Sequence, residues 1–370
     1  MQNILIFDIR TSGHHIEYIN HLVRGAVNDT KNSYVFALKY SDKIYQPNQK
    51  NISFVFIDDI RISSCLNTNK LLGAYRKSKL LFEYVTKYKI NKIFLIYLME
   101  YIPFLFACPS NVKVSGIIYS IYLYFGSKPN SFSSLFNAGI YKMISIKRNF
   151  EPIFILNDSS STAFLNRKFS TKKFFPLEDP FNASLGDDLK SELNVSSRSE
   201  INFLHFGCLC RRKGTMTILH AISLIPATDA RKFKFVFAGK VDDDIKDEYY
   251  TLIKKLQPIY NIELHDRFCS ESEIHHFCRT TDYILVPYSR TSASSGLIGY
   301  AAKYDKPVIG PSDGLLGKLI RKNSLGTTLK NVTPEALKES FYKKHKCDGR
   351  KYIAKNSIDN FLKTIFKSFE

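Results

Sequence analysis

The chain of 370 residues is long enough for two domains, and its hydrophobic content of 44% allows each domain a buried core. No apolar run reaches the roughly 18 residues of a transmembrane helix, and the first residues lack the basic segment and cleavage site of a signal peptide. The net charge of +19 fits nucleic acid, an anionic membrane surface or phosphorylated ligands, or is simply that of a basic surface. Without a zinc-finger, RRM or basic-zipper motif, nucleic acid is not expected as a partner.

In the first half, short apolar runs alternate with segments of helical spacing, which is the rhythm of a parallel α/β sheet. The predicted strands are residues 4–7, 34–37, 54–57, 93–96, 112–118 and 153–156. The predicted helices between them are residues 14–27, 70–88 and 132–147.

The rhythm stops near residue 180 and restarts after a polar stretch. The predicted strands beyond it are residues 201–206, 233–238, 262–265, 283–286 and 306–309, and the predicted helices are 215–225, 245–256 and 271–278. We therefore predict an α/β protein with two Rossmann-like domains facing each other across a cleft. The predicted boundaries are a first domain at 1–182, a linker at 183–199, a second domain at 200–350, and a helix in 351–370 that returns to the first domain.

A basic turn separates the first strand and first helix of the second half. It begins at Gly207, carries Arg211, Arg212 and Lys213, and ends at Gly214. Glycine lets the backbone approach a ligand, and three cations before a helix N-terminus suit a diphosphate. A solvated basic turn explains the same residues, so both interpretations stay open here.

A loop of small hydroxylated residues follows the strand at 283–286. Ser294, Ser295 and Gly296 open the next helical segment, and their hydroxyl and N–H groups are suited to an anion. Lys306 and Pro307 lead back into a strand. The pattern predicts a phosphate-binding site late in the chain.

The order of these units resembles the nucleotide-sugar domain of GT-B fold glycosyltransferases of the family 4 kind, over about residues 201–330. Gly207, Leu209, Lys213 and Gly214 match the family's Gly-Arg-Leu-x-x-x-Lys-Gly turn, with Cys208 in place of the arginine. Further matches are Gly239 at a strand end, the strand 283–287, the segment 306–308, the short helix 314–320 and Gly326. In the first half the likeness is mainly one of layout, including a glycine loop at residues 12–14.

The resemblance implies transfer of a sugar from a nucleotide-diphosphate donor, a UDP- or GDP-sugar, to a hydroxyl of a glycan or polyprenyl-linked acceptor in surface polysaccharide biosynthesis. It implies retention of configuration, no metal ion and no further cofactor. The donor would be bound by Gly13, Gly207, Arg211, Arg212, Lys213, Gly239, Arg267, Ser294, Ser295 and Gly296. An anionic membrane surface at the inner face of the plasma membrane is a further expected partner of this otherwise cytoplasmic protein.

Two departures from the family concern its Glu-x-Phe-Gly-x-x-x-x-Glu-Ala motif. Ser292 and Tyr300 stand at the glutamate positions, so contacts to the ribose and to the donor sugar must differ. The family's first-domain histidine would fall at Tyr119 or Ser120. A non-catalytic sugar-nucleotide-binding protein and a nucleotide-sugar epimerase of the same fold therefore remain alternatives.

Catalytic candidates in the first half are His14, His15 and Glu17, where the first strand meets its helix. Either histidine is suited to act as a base or to orient an acceptor hydroxyl, or else it caps or packs the helix start. Glu100 and Arg10 are weaker candidates of the same kind.

Two further features of the sequence have more than one reading. The aromatic residues Tyr119, Tyr122, Tyr124 and Phe125, with Lys142, Lys147 and Arg148 downstream, fit either a membrane-facing rim or an ordinary core beside solvated cations. The seven scattered cysteines lack zinc-ligand spacing, which favours reduced thiols and no metal site.

Overall fold

The computed structural model describes residues 2–11, 14–121, 132–181, 200–291 and 295–370. The predicted linker at 183–199 lies outside them. The chain forms two compact units, of which the first comprises Met1–Asp179 with Ile358–Glu370 and the second comprises Pro180–Ser357.

The first unit is a seven-stranded parallel sheet flanked by helices. Its strands are β1 (Asn3–Asp8), β2 (Ser33–Lys39), β3 (Ile52–Ile57), β4 (Lys92–Leu95), β5 (Lys113–Ile118), β6 (Phe150–Leu156) and β7 (Phe174–Leu177), in the order β3-β2-β1-β4-β5-β6-β7. Its helices are α1 (His15–Asn28), α2 (Asp59–Leu66), α3 (Lys70–Lys87), α4 (Phe132–Ile146), α5 (Ser159–Lys168) and, from the end of the chain, α13 (Ile358–Phe366).

Both faces of this sheet are buried, which explains why its strands appear in the sequence as continuous apolar runs. Alternate residues of β1 point to opposite faces, so Leu5 and Phe7 pack with α3 and α4, whereas Ile4 and Ile6 pack with α1 and α13. The contact of α1 with α13 is close, because a Cβ added at Gly25 would lie 2.3 Å from the Phe366 ring. The last helix therefore completes the core of the first unit, as predicted.

The second unit is a six-stranded parallel sheet with the same layering. Its strands are β8 (Ile201–Phe206), β9 (Phe233–Ala238), β10 (Asn261–His265), β11 (Tyr283–Leu285), β12 (Val308–Pro311) and β13 (Gly326–Leu329), in the order β10-β9-β8-β11-β12-β13. Its helices are α6 (Thr215–Ser223), α7 (Lys246–Leu256), α8 (Glu271–Thr280), α9 (Leu297–Lys303), α10 (Gly314–Lys322), α11 (Pro334–Phe341) and α12 (Arg350–Lys355).

The structure departs from the sequence prediction in a few places. It adds β7, β13, α2, α5 and α11, which the patterns did not predict. The return to the first unit starts at Ile358 rather than at residue 351, because α12 packs on α9 and buries Tyr352 in the core of the second unit. Among the residues that the structure describes, no helix is both long and apolar enough to cross a membrane.

Each sheet has one point where the strand order reverses direction. It lies between β1 and β4 in the first unit and between β8 and β11 in the second. Open parallel sheets bind ligands outside the carboxyl ends of the strands at such a point. The loops after these four strands are therefore where a site is expected.

Candidate functional site

The basic turn predicted from the sequence lies at the reversal point of the second sheet. It follows β8, while residues 286–296 follow the neighbouring β11. The two loops are tied together by Ser289, whose backbone N–H and hydroxyl donate to the carbonyl of Arg212 at 3.0 and 3.1 Å. Residues from both loops therefore meet at one edge of the sheet.

Glycine is required where these loops come close. Gly214 has φ +77°, and a Cβ there would lie 2.1 Å from the Pro287 carbonyl oxygen. Gly239, after β9, has φ +146°, and a Cβ there would lie 1.9 Å from the Gly207 carbonyl oxygen. A side chain at either position would strain the backbone and separate loops that must touch.

Lys213 is the central cation at the carboxyl ends of β8 and β11. Its half-buried ammonium lies over the Tyr288 ring, 5.8 Å from the centroid, and 2.5 Å from where a Cβ on Gly207 would stand. Burial, and then the neighbouring Arg212, lowers the pKa of Lys213 below its usual value. Among the described residues, no carboxylate lies within ion-pair distance of this ammonium, so a bound anion would stabilise it.

A buried histidine connects the two strands to the helix that follows the basic turn. His205 of β8 contacts the Leu285 carbonyl through Nδ1 and the Thr215 hydroxyl through Nε2, both at 3.0 Å. Burial lowers its pKa to about 4, so the ring is neutral at physiological pH. Nδ1–H therefore donates to the carbonyl and Nε2 accepts from the hydroxyl, which links β8, β11 and the start of α6.

Two of the predicted donor-binding cations have other partners. The Arg211 guanidinium lies 2.7 Å from the Glu248 carboxylate of α7. Arg267 forms a two-pronged ion pair with Glu273, whose carboxylate also contacts the Ser270 N–H and hydroxyl in a capping box at the start of α8. Both arginines are held by carboxylates, so Arg212 and Lys213 are the remaining cations of the predicted set.

The serine-rich loop is described only in part. Ser292 and Ser294 lie outside the described residues. The Ser295 hydroxyl is 3.4 Å from the Tyr288 hydroxyl, and Gly296 precedes the seven-residue helix α9. Tyr300, at the second glutamate position of the family motif, packs on Phe181, Phe206 and His275, with ring centroids 5.2 to 5.7 Å apart.

In the first unit, Asp8 ends β1 at the reversal point. Its buried carboxylate accepts from the Arg10 N–H at 2.9 Å and lies 2.6 Å from His15 Nδ1. In the neutral imidazole, this contact places the proton on Nδ1 and leaves Nε2 of His15 as an acceptor. Asp8 was not predicted, although its place directly after a buried strand was the available signal.

The other predicted side chains of this edge form two clusters. Glu100, after β4, binds Arg10 at 2.7 Å and Lys77 at 2.6 Å. The Glu17 carboxylate lies 3.2 Å from His14 Nδ1; burial opposes its ionisation, but contacts with His14 and His21 outweigh it and lower the pKa of Glu17 to about 2.

These contacts bring His15 to the strand end and keep His14 on the exposed side of α1. Gly13 lies outside the described residues.

Two aromatic residues, Phe268 and Tyr119, also lie near these strand ends. Phe268, directly after Arg267 beyond β10, is 90% exposed, which is unusual for so large an apolar side chain. Tyr119 stacks on Tyr18 with ring centroids 6.0 Å apart, while Tyr122, Tyr124 and Phe125 lie outside the described residues.

The cysteine, histidine and acidic side chains of the described residues form no metal site. All seven cysteines are free, and within the described ranges no cluster of three or more histidine, cysteine or acidic side chains could hold a metal ion.

Comparison with known proteins gives matches in structure alone. No family model matches the chain, and no curated protein matches it in sequence. A glycosyltransferase from Rickettsia africae is 15% identical with a TM-score of 0.62, and covers 100% of this chain and 94% of its own. HepE from Anabaena, solved with UDP and glucose, is 12% identical with a TM-score of 0.64 and coverage of 100% and 99%.

A third similar structure extends the same pattern. The E. coli trehalose-6-phosphate enzyme bound to UDP-2-fluoro glucose is 10% identical with a TM-score of 0.69, over 99% of this chain and 98% of the other. The similar structures are GT-B glycosyltransferases, and these three are matched over 94% or more of their own length. With two parallel-sheet units and a last helix that returns to the first, the chain has the GT-B fold that the sequence predicted.

Proposed function

We propose that the protein is a glycosyltransferase whose second unit binds a nucleotide-diphosphate sugar. The observation that carries the proposal is Lys213, an ammonium that has no carboxylate partner among the residues the structure describes. It lies at the reversal point of the second sheet, beside the exposed Arg212. Two neighbouring cations that repel each other are favoured where a dianion binds between them. The structures of similar fold solved with UDP or a UDP-sugar support a nucleotide donor, of the UDP or GDP class.

In the proposed reaction, the acceptor hydroxyl oxygen bonds to the anomeric carbon while the bond from that carbon to the diphosphate oxygen breaks. The bonding electrons leave with the diphosphate, and its new charge is stabilised by Lys213 and Arg212. The hydroxyl proton passes to an oxygen of the departing phosphate. We propose that the configuration is retained. We also propose that no metal ion is required, because the cations of the turn supply the charge that a metal would otherwise provide.

The first unit is proposed to bind the acceptor. The acceptor nitrogen of His15, oriented by Asp8, is suited to receive a hydrogen bond from an acceptor hydroxyl. Arg10, 38% exposed and paired with Glu100, is a second polar group at this strand end. The proposed acceptor is a glycan or polyprenyl-linked glycan of a surface polysaccharide. The net charge of +19 favours an anionic membrane surface near this acceptor.

A non-catalytic nucleotide-sugar-binding protein is the second candidate. The observation that favours it is Tyr300, which replaces a motif glutamate by an aromatic ring packed on Phe181 and Phe206. Ribose hydroxyls would then lack their usual carboxylate acceptor. The nucleotide could still bind through its diphosphate and base.

One pair of measurements separates the candidates. Thermal shift with UDP, GDP, CMP and ADP identifies a bound nucleotide, and mass spectrometry of reactions with the matching nucleotide-sugars, with and without EDTA, detects transfer to a glycan panel. Nucleotide binding with transfer in EDTA supports a glycosyltransferase that needs no metal ion. Binding without hydrolysis or transfer favours the non-catalytic protein, and stabilisation by oligonucleotides but by no nucleotide contradicts both.

A further inference from the structure

A cavity of about 850 Å³ opens in the first unit, away from the strand ends described above. It lies between the edge strand β7 and the C-terminal helix α13, and its wall includes Glu151 and the segment just before β7. Glu151 is at the start of β6, and residues 170–173 precede β7. The cavity therefore adjoins the amino ends of these strands, whereas the candidate site of this unit lies at the carboxyl ends of parallel strands.

Three exposed lysines supply the charge of this cavity. They are Lys172 before β7, Lys363 on α13 and Lys367 one helical turn later. In the described part of the chain, none of the three has a carboxylate within ion-pair distance. The lining carboxylate, Glu151, already binds Lys113 at 2.8 Å.

Two further lysines beside the cavity are engaged with backbone carbonyls. Lys173 donates to the carbonyls of Ile144 and Lys147 at the end of α4, and Lys92 donates to that of Ser368. Burial is the main cause that lowers the pKa of Lys92 to about 8, and the neighbouring Lys113 lowers it further. Like charges gathered in this way destabilise the free protein and are relieved by a bound anion.

An apolar wall accompanies these charges. Phe175 of the edge strand is 43% exposed, and its ring lies 6.5 Å from that of Phe154. The cavity volume is in the range of small-molecule sites, which is roughly 300–1,000 Å³. One wall thus offers aromatic surface and the others offer ammonium groups.

We propose that this cavity is a second binding site, for a ligand that carries phosphate together with an apolar portion. Lysine ammonium groups bind phosphate as point charges, and the apolar portion would pack on Phe175. An anionic lipid headgroup and a soluble aryl or alkyl phosphate share this chemistry. The site is independent of the nucleotide site at Lys213, so each can fail without the other.

The test compares the wild-type protein with the variant Lys172→Gln/Lys363→Gln/Lys367→Gln. The matched control, Lys43→Gln/Lys50→Gln/Lys70→Gln, removes the same charge from exposed lysines of the same unit outside the cavity. One arm measures sedimentation with vesicles of phosphatidylglycerol and phosphatidylcholine, and the other measures calorimetric binding of 1-naphthyl phosphate. Circular dichroism verifies that each variant is folded.

We expect the cavity variant to lose roughly 100-fold in affinity for the probe that binds, since each of the three lysines near an anionic surface contributes about fivefold. The control should lose much less, and Phe175→Ser should also weaken binding. Loss in the vesicle arm identifies a lipid source, and loss in the naphthyl phosphate arm alone identifies a soluble one. Equal losses in variant and control, an unaffected Phe175→Ser, or no binding of either probe to the wild type would overturn the proposal.

Discussion

The substitution Lys213→Met tests the proposed diphosphate site through two effects of opposite sign. Methionine keeps most of the length of the side chain and removes its charge. A hydrogen bond to a charged group contributes about 1.5–3 kcal/mol, so nucleotide-diphosphate affinity should fall about 10- to 150-fold. Isothermal titration with the nucleotide that binds the wild type measures this loss.

The free protein should respond in the other direction. Burial and Arg212 lower the pKa of Lys213, so its charge opposes folding at neutral pH and the Lys213→Met variant should unfold at the same or a higher temperature than the wild type. The unfolded chain binds more protons than the folded one between the lowered pKa and the usual 10.5. The free energy of unfolding of the wild type should therefore increase relative to that of the variant as pH rises through that window.

Arg211→Met is the matched control, because it removes one positive charge from the same turn. Its guanidinium is paired with Glu248, so nucleotide affinity should change less than about threefold. Equal affinity of the Lys213 variant and the wild type would refute the assignment of the diphosphate site. A lower unfolding temperature of the Lys213 variant would instead show that the ammonium supports the fold, and the pKa argument would be wrong.

Three further predictions concern other residues of the two units. Phe268→Ala should weaken nucleotide binding by roughly 5- to 150-fold and leave the binding of inorganic pyrophosphate unchanged. The reason is that β10 lies two strands, roughly 10 Å, from β8, and an exposed ring there suits base stacking, which contributes about 1–3 kcal/mol. Phe268→Tyr is the control, and an equal loss for pyrophosphate in calorimetry would contradict stacking. The hydrogen bond to Glu17, opposed by burial, raises the pKa of His14, so the pair stabilises the fold below about pH 6.5 and this is lost as pH rises through the raised pKa. In urea unfolding, Glu17→Gln should then be more destabilising at pH 6 than at pH 8.5, by well under about 1 kcal/mol because His14 is 54% exposed, and a pH-independent difference would exclude the pair as its source. Gly239→Ala should cost roughly 2–3 kcal/mol of unfolding free energy, because its Cβ would meet the Gly207 carbonyl. In the control Gly139→Ala the new Cβ meets nothing within 4 Å, so this variant should cost nothing or stabilise α4. Similar values for the two variants would refute the close approach at Gly239.

The architecture was predictable because parallel strands buried on both faces appear as apolar runs. Residues 201–206 and 233–238 were assigned to their strands without error. The edge strand β7 was not found, because Pro176 argues against a strand in the sequence and is tolerated in one only at the edge of a sheet. Position at the edge of a sheet is a tertiary property, which a local pattern does not carry.

The candidate site was predictable where it depends on local chain geometry. The glycines and Lys213 of the basic turn could be located because a strand, a turn and a helix follow each other in sequence. The partners of Arg211 and Arg267 could not be predicted. Glu248, which binds Arg211, lies 37 residues away in the sequence, and the sequence does not show whether an arginine binds a phosphate or a carboxylate. Asp8 was overlooked although it follows a buried apolar run, since its contact with His15 is not visible in the sequence.

The helix α13 has a consequence for how the protein is made. Its residues Phe361 and Ile365 belong to the same core as β1, and about 180 residues of the second unit intervene. During synthesis the second unit, which is continuous in sequence, can fold as soon as it leaves the ribosome, while the first must wait with an apolar face of α1 uncovered. The first unit to be translated is therefore the last to be finished, and a chaperone that shields α1 should associate with the nascent chain until residue 366 has emerged.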